Sequence, residues 1–187
     1  MCETALQLWD RKLTNALGGN FCMRVGEGEL LITPTLMSEG KHCRLEPKDI
    51  LLIDYEAKIL EGEGGLSRET DMHIGLLRDF PAIGAVIHAH PQNGMVFAAY
   101  EKPIPSVTEA SEAQGAAGLI DFAPTCTPEL AAAVLRYYEA RRPLLEKGPL
   151  AAVMRKHGLV VTAPNLNAAF AFLEVVETDA YCALHPL

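Results

Sequence analysis

Long apolar runs, repeats and linkers are missing from this 187-residue sequence, and each absence narrows the classes of protein it can represent. No apolar run approaches the roughly 20 residues that a membrane-spanning helix needs. The opening residues, MCETALQLWDRKL, lack the basic start and long apolar stretch of a signal peptide. No repeat or Pro/Gly/Ser-rich linker divides the chain. We therefore expect one cytoplasmic domain over residues 1–187 that has no membrane partner.

Paired cysteines and basic clusters are also missing. The five cysteines, at positions 2, 22, 43, 126 and 182, form no CxxC pair. An odd number without such spacing is typical of reduced thiols rather than of a disulfide framework. The formal net charge is −8, and the densest basic spots are the dipeptides at 141 and 155. Because nucleic-acid phosphates are bound by clustered lysine and arginine, we expect no nucleic-acid partner.

The apolar residues that are present predict strands interleaved with helices. Helical spacing predicts an opening helix over residues 3–16, ended by a Gly-Gly pair. Strands are predicted at NFCMRV and GELLITP, joined by a hairpin around Glu27, and at DILLIDY. Further helices are predicted at SRETDMHIGLLRDF, at about 92–100, at TPELAAAVLRYYEAR and at NLNAAFAFLEVVETDAYCAL. A strand pair is predicted at LAAVMRKHGLVVTA. Strands interleaved with helices along the chain indicate a layered α/β domain.

Cap residues and core residues refine three of these helices. Ser67 can cap the helix of SRETDMHIGLLRDF, and Thr127 with a following proline is typical of a helix start. In the last helix, the side chains available for the core are Phe170, Leu173, Val176 and Tyr181.

Two histidines stand one residue apart at the end of the apolar run AIGAVIHAHPQNG. Because strand side chains alternate between faces, His88 and His90 are expected to project from the same side of a sheet. Two imidazoles on one face favour a shared partner, and a divalent metal is the usual one. Histidine is also tolerated in half-exposed strands, so this pair alone leaves both interpretations open.

A third histidine and a carboxylate can join the pair. His157 lies at the edge of a second apolar strand, beside Gly158, which allows close backbone approach or positive φ. The alternative for His157 is an exposed turn. Glu69 lies in the first turn of the helix before the histidine strand, where the helix N-terminus favours its ionised form. It is thus a candidate ligand or base, although many such glutamates interact only with the helix dipole.

Five motifs, GGNFCMR, LLITPT, LSRETDMH, AVIHAHP and KHGLVV, resemble the class II aldolase and adducin family in their order and separations. The resemblance covers about residues 13–178. It implies a single-domain, three-layer fold with a central, mainly antiparallel sheet flanked by helices, and a homotetramer. It also implies that His88, His90 and His157 bind Zn²⁺ and that Glu69 is the catalytic acid/base. His73 matches a family histidine, for which helix packing or support of Glu69 is the expected role.

The resemblance also implies a phosphate site with some departures from the family pattern. The implied phosphate-binding residues are Gly19, Asn20, Thr35, Ser67 and Arg68. Leu36 stands where family aldolases have glycine, and Arg68 stands where they have serine. Arginine binds phosphate or carboxylate through two hydrogen bonds, so the anion site is expected to persist with altered geometry or to take a carboxylate. A family catalytic tyrosine aligns with Glu109, and the sequence ends at Leu187 before a second one.

The implied reaction is reversible aldol cleavage of a small ketose phosphate into dihydroxyacetone phosphate and an aldehyde through a zinc-stabilised enediolate. Alternatives within the same family are 4-epimerisation, dehydration and decarboxylation, since a stabilised enolate serves all of them. A non-catalytic adducin-like module and a structural zinc are the remaining alternatives. Other divalent transition metals also suit three histidines.

Overall fold

The computed structural model describes all 187 residues, and its central feature is one eight-stranded sheet. The strands are β1 (Asn20–Gly26), β2 (Glu29–Ile32), β3 (Leu51–Asp54), β4 (Ile59–Glu61), β5 (Ala85–Ala89), β6 (Gly118–Ile120), β7 (Leu150–Met154) and β8 (Gly158–Ala163). Their spatial order is β4-β3-β2-β1-β5-β8-β7-β6. Only β6 and β7 pair in parallel, and every other neighbouring pair is antiparallel.

Eight helices accompany the sheet. They are α1 (Cys2–Asp10), α2 (Met37–Lys41), α3 (Thr70–Asp79), α4 (Gly94–Ala99), α5 (Glu109–Glu112), α6 (Pro128–Glu139), α7 (Arg142–Leu145) and α8 (Leu166–Leu184), with a 3₁₀ turn at Pro47–Asp49. None of them combines the length and apolar character that crossing a membrane requires.

The core divides into two clusters, one on each face of the sheet. Alternation along β5 sends Ala85 and Ile87 into the cluster that contains buried residues of α1, α4 and α8. Val86 faces the opposite cluster, which is built mainly with α3 and α6. Helices therefore cover both faces, and the expected three-layer α/β fold with a mainly antiparallel sheet is confirmed.

Several local predictions hold because the controlling signal is short-range. The turn between β1 and β2 falls at Glu27 and Gly28, and Gly28 has a φ of +75°. Thr127 caps α6 by accepting a hydrogen bond from the Leu130 amide at 3.3 Å, and a proline begins the helix. Asn165, for which no cap was predicted, also caps a helix, because its side chain accepts a hydrogen bond from Ala168 N at 2.9 Å at the start of α8.

Other local predictions are wrong about where a helix ends, which residue caps a helix or which side chains are buried. The opening helix stops at Asp10 rather than residue 16, because Lys12 adopts a φ of +57° and the amides of Leu13 and Thr14 both return to the Leu8 carbonyl. The N-cap of α3 is Glu69, not Ser67. In α8, Leu173 and Val176 are buried as expected, whereas Phe170 is half-buried and Tyr181 is exposed.

Candidate functional site

The candidate site lies where three neighbouring strands, β1, β5 and β8, meet the N-terminus of α3. His88 is in β5, and its register partners are Asn20 on β1 and Val160 on β8. His90 follows the last residue of β5, and His157 immediately precedes β8. The antiparallel pairing of β5 with β8 therefore brings His88 and His157, 69 positions apart in the sequence, to the same edge of the sheet.

The three histidines form a compact cluster. One ring nitrogen from each of His88, His90 and His157 lies within 4.8 Å of the others. The Nε2 atoms of His88 and His90 are 3.1 Å apart. The rings of His88 and His157 have their centroids 4.7 Å apart. The structure thus brings all three predicted histidines together, and it rules out an exposed turn for His157, whose side chain is only 11% exposed.

Hydrogen bonds on the outer side of the rings set their orientation. The Nδ1 of His88 is 2.9 Å from the Leu159 carbonyl oxygen, which can only accept, so Nδ1 donates the proton. The Nδ1 of His90 faces Asn15 Oδ1 at 3.3 Å. In neutral rings this leaves lone pairs on both Nε2 atoms, pointing at each other. Such an arrangement is repulsive by itself and is favourable when a cation lies between the rings.

Two glycines provide the room that His90 occupies. A Cβ atom on Gly158 would lie 2.5 Å from His90 Cδ2 and 2.7 Å from the Ala89 carbonyl oxygen. A Cβ atom on Gly18 would lie 2.0 Å from His90 Nδ1. Of the two reasons the sequence offered for Gly158, close approach is the one observed, because its φ is not positive.

Glu69 faces the histidine cluster from the N-cap position of α3. Its Oε2 is 3.4 Å from His88 Nε2, and its Oε1 is 3.3 Å from His157 Nε2. Burial acts to raise the pKa of Glu69, but electrostatic interaction with the His88 and His157 rings and a hydrogen bond from Asn20 outweigh it. The pKa is lowered to about 2, so this carboxyl group is ionised at neutral pH.

Burial favours the neutral form of two of the imidazoles, those of His90 and His157. Burial lowers the pKa of His90 to about 3, with a further contribution from the neighbouring His88 and His157. Burial also lowers the pKa of His157 to about 4, again with a contribution from His88. Neutral imidazole is the form that binds metals, because its lone pair is free.

The residues present fit a divalent metal ion. Three imidazole nitrogens converge, a carboxylate lies beside them, and two buried polar atoms of the cluster, Glu69 Oε1 and His157 Nδ1, have no hydrogen-bond partner. A three-histidine set with room for further ligands is typical of catalytic metal sites. The five cysteines lie outside this ligand set.

A cleft of about 190 Å³ opens above the cluster. All five predicted anion-binding residues line it, together with the four predicted metal-site residues. Arg68 is the only lining side chain with a permanent positive charge, and it is exposed. Asn20 differs from the expectation, because its amide already donates to Glu69 Oε2 at 2.9 Å and can offer an anion only its second N–H.

Some lining residues were not predicted from the sequence. They are Leu17, Gly18, Ser38, Thr125 and Cys126, among others. Gly18 could have been found as the first member of the Gly-Gly pair, but nothing local indicates that residues 125 and 126 reach the cleft. Glu109, which aligns with a family tyrosine, lies exposed on α5 and does not line the cleft of its own chain.

Leu36 keeps a glycine-like backbone although it is not glycine. Its φ is +56° and its ψ is +26°, the left-handed region that disfavours a side chain, and the side chain is 57% exposed at the cleft. Leu17, which also lines the cleft, is 84% exposed. The mouth of the cleft therefore combines two exposed leucines with one arginine.

Comparison with known proteins assigns the family. A family model described as the class II aldolase and adducin N-terminal domain matches residues 1–184. The chain belongs to the class II aldolase and adducin family. The L-fuculose phosphate aldolase of Methanococcus vannielii is 30% identical over 174 residues, 92% of this chain and 87% of that protein. The resemblance inferred from the five motifs is therefore confirmed.

Other class II aldolase family relatives extend this result. A solved L-fuculose 1-phosphate aldolase has a TM-score of 0.81 and 28% identity, covering 98% of this chain and 83% of that chain. The methylthioribulose-1-phosphate dehydratase of Methylococcus capsulatus is 40% identical over 75 residues, 40% of this chain and 35% of that protein. The family relatives thus include both aldolases and a dehydratase.

Proposed function

We propose that this protein is a metal-dependent aldehyde-lyase, which reversibly cleaves a small ketose phosphate into dihydroxyacetone phosphate and an aldehyde. The observation that carries the proposal is the placement of Glu69 across three converging imidazoles at the base of a cleft whose only fixed cation is Arg68. The similarity to L-fuculose phosphate aldolases over nearly the whole chain supports the same reaction.

In this proposal His88, His90 and His157 hold the metal through their Nε2 atoms. Zinc is the first candidate, since three imidazoles suit it and it has no redox chemistry to interfere. When bound, the metal supplies Lewis-acid stabilisation of the negative charge that develops on the enediolate oxygens. The carboxylate of Glu69 takes up and returns the proton at the carbon beside the carbonyl group, a step that contributes about 10²- to 10⁴-fold for a well-placed group.

Arg68 is proposed to bind the anionic end of the substrate. Its guanidinium has no carboxylate partner within the protein and faces the cleft. The backbone of Gly19, which has a φ of +92°, and the side chains of Thr35 and Ser67 line the same cleft and complete the proposed anion site. Asn20 contributes to it with its remaining N–H.

Dehydration is a second candidate reaction. The dehydratase of Methylococcus capsulatus shares 40% identity with 75 residues of this chain, and the chain has Glu109 where the resemblance expects a catalytic tyrosine. Dehydration begins by removing a proton from the carbon beside a carbonyl group, and so does the aldolase reaction in its synthetic direction, so both would use Glu69 in the same way.

The first experiment is proton NMR of dihydroxyacetone phosphate in D₂O with metal-loaded protein and no aldehyde. The proposal predicts metal-dependent loss of one C–H signal, and a chelator-treated sample is the control. Absence of exchange with metal confirmed bound would reject this donor. Methylthioribulose 1-phosphate, examined next in the same way, would then test dehydration directly.

The assembly and cell compartment are also proposals. We propose a cytoplasmic homotetramer, because the family resemblance implies one. Large apolar side chains stay exposed away from the cleft, including Tyr100, Val107 and Tyr181, and are available for contacts between subunits. Sedimentation equilibrium would give the mass directly, and a value near the 20.3 kDa of one chain would contradict the tetramer.

A further inference from the structure

A chain of three buried polar side chains leads from the interior to Glu69. His73, on the first turns of α3, is fully buried, and its Nε2 lies 2.5 Å from Asn20 Oδ1. The Nδ2 of Asn20 lies 2.9 Å from Glu69 Oε2. Asn20 and Glu69 are themselves only 8% exposed. One strand and one helix thus hold the three groups in line, with Asn20 in the middle.

The charge on Glu69 fixes the direction of every hydrogen bond in this chain. An ionised carboxylate can only accept, so Asn20 must turn its NH₂ group toward Glu69. Its carbonyl oxygen then faces His73 and can only accept in turn. His73 must therefore carry its proton on Nε2 and donate to Asn20. The opposite histidine tautomer would set two acceptors 2.5 Å apart and bury an N–H at Nδ1 without a partner.

The two oxygens of Glu69 consequently have different surroundings. Oε2 accepts the hydrogen bond from Asn20, whereas Oε1 is buried and has no hydrogen-bond partner. Oε1 also lies 3.3 Å from His157 Nε2, and both residues line the cleft. An oxygen without a donor is the more basic of the two, because a hydrogen bond to a carboxylate stabilises its charged form.

We propose that His73 and Asn20 are positioning residues that hold Oε2 of Glu69, so that Oε1 is the oxygen that takes up and returns the substrate proton. The assignment of Oε1 rests on the proposed function, whereas the hydrogen-bond direction does not. In the proposed step, the pair of electrons on Oε1 forms the new O–H bond as the substrate C–H bond breaks. The C–H electrons remain on the substrate as the enediolate, and the proton later returns from Oε1 to carbon or to the product.

Simple helix packing explains His73 less well. A leucine of similar size would fill this position of α3 without a buried nitrogen, and burying a polar atom that has no partner costs free energy. The Nδ1 of His73 is such an atom. The contact with Asn20 is therefore the only polar interaction that favours an imidazole at this position. The same contact sets the orientation of the Asn20 amide.

The tautomer of His73 tests the hydrogen-bond direction without any substrate. Long-range ¹H–¹⁵N correlation spectra of the metal-free protein at neutral pH distinguish the two ring nitrogens. We expect a protonated Nε2 and an unprotonated Nδ1 for His73. A proton on Nδ1, or on both nitrogens, would overturn the proposed direction.

Two substitutions at His73 test the positioning role. The side-chain amide of glutamine can donate from a position close to that of Nε2, whereas leucine cannot donate. We expect His73→Leu to slow solvent exchange into dihydroxyacetone phosphate by about 10- to 100-fold, the usual effect of losing one hydrogen bond in a charged network. His73→Gln should stay within about threefold of the wild type. Both should keep the wild-type metal stoichiometry and the KM for dihydroxyacetone phosphate.

The outcomes separate the two proposals. Equal exchange rates in the wild type and His73→Leu, or equal losses in both variants, would overturn the positioning role. If the wild type shows no exchange, the proposed function fails for this donor, and the tautomer measurement still decides the hydrogen-bond direction. Circular dichroism shows whether His73→Leu folds. If it does not fold, the tautomer of His73 and the exchange rate of His73→Gln test the positioning role instead. An exchange rate far below that of the wild type in a folded His73→Gln would contradict the proposal.

Discussion

The space around His90 depends on two residues that have no side chain. Gly18 approaches this ring at Nδ1 and Gly158 approaches it at Cδ2, and a Cβ atom on either would overlap it. A ligand histidine needs its ring held within a few tenths of an ångström, so small neighbours that fix the ring also fix the lone pair. The contact with Gly158 includes the Ala89 carbonyl oxygen, which is backbone and cannot rotate away.

We therefore predict that Gly158→Ala weakens metal binding by at least about tenfold, since displaced ligand geometry typically has an effect of this size. Competition with a chromophoric chelator measures the affinity. Gly40→Ala is the matched control, because a Cβ atom there meets nothing within 4 Å and the φ of Gly40 is not positive. Wild-type affinity in Gly158→Ala would show that the ring can move without loss of the site.

At Glu69, a substitution separates metal binding from proton transfer. Glu69→Gln retains the shape and the acceptor that Asn20 needs, but an amide cannot take up a proton. We expect the variant to bind one metal ion per chain and to lose about 10²- to 10⁴-fold in solvent exchange. Metal content and the NMR exchange rate are the two measurements. Exchange at the wild-type rate would exclude Glu69 as the base.

The sequence predicts the chemistry of these residues better than their contacts. Strand alternation is enough to place His88 and His90 on one face, because the period of two is a property of the backbone. The contact between Asn20 and Glu69 depends instead on the register of β1 against β5, which pairs Asn20 with His88. No local pattern encodes that register, so Asn20 was assigned to the anion site alone.

Among the helices, α8 anchors the segment that follows the histidine strand. Glu177 accepts hydrogen bonds from the backbone amides of Asn93 and Gly94, each at 2.8 Å, and from the Asn93 side chain. These amides belong to the start of α4, which begins four residues after His90. Burial raises the pKa of Glu177, and the donated hydrogen bonds act against that rise.

Loss of this anchor should destabilise the fold. We predict that Glu177→Ala lowers the free energy of unfolding by about 2 kcal/mol, because two backbone amides lose a charged acceptor. Urea denaturation measures the change. Glu174→Ala on the same helix is the control, since its ion pair with Arg11 is at the surface and such pairs contribute about 0–1 kcal/mol. Equal effects of the two substitutions would contradict the anchoring role.

Long elements could be predicted from the sequence and short ones could not. The periodic patterns of α6 and α8 extend over three turns or more, so single exceptions do not obscure them. The strands β4 and β6 have three residues each and pair at the two edges of the sheet, where burial leaves little pattern. The end of α1 depends on the left-handed conformation of Lys12, which its residue type does not indicate.

On the scale of the whole molecule, the buried histidines couple folding to proton binding. Burial lowers the pKa of His73 to about 3, although the charge of Glu69 partly opposes this shift. The pKa values of His90 and His157 are lowered to about 3 and about 4. In an unfolded chain each of these side chains titrates near 6.5. Between about pH 6.5 and pH 4 the unfolded state therefore binds more protons than the folded state.

The direction in which stability changes with pH follows from this difference in proton binding between the unfolded and folded states. Stability falls with decreasing pH wherever the unfolded state binds more protons, so the metal-free protein should lose stability steadily from pH 6.5 toward pH 4. The lowered pKa of Glu69 adds to the loss below about 4.5, because the unfolded carboxylate is protonated first. Urea denaturation in the presence of a chelator at pH 7, 6 and 5 measures how steeply the free energy of unfolding changes with pH.

The substitution His73→Gln removes one titrating group and should reduce that pH dependence by up to about 1.4 kcal/mol per pH unit. A stability that does not change with pH over this range would mean that these histidines are accessible to protons in the folded protein. The buried, neutral state inferred for His90 and His157, on which metal binding depends, would then be contradicted.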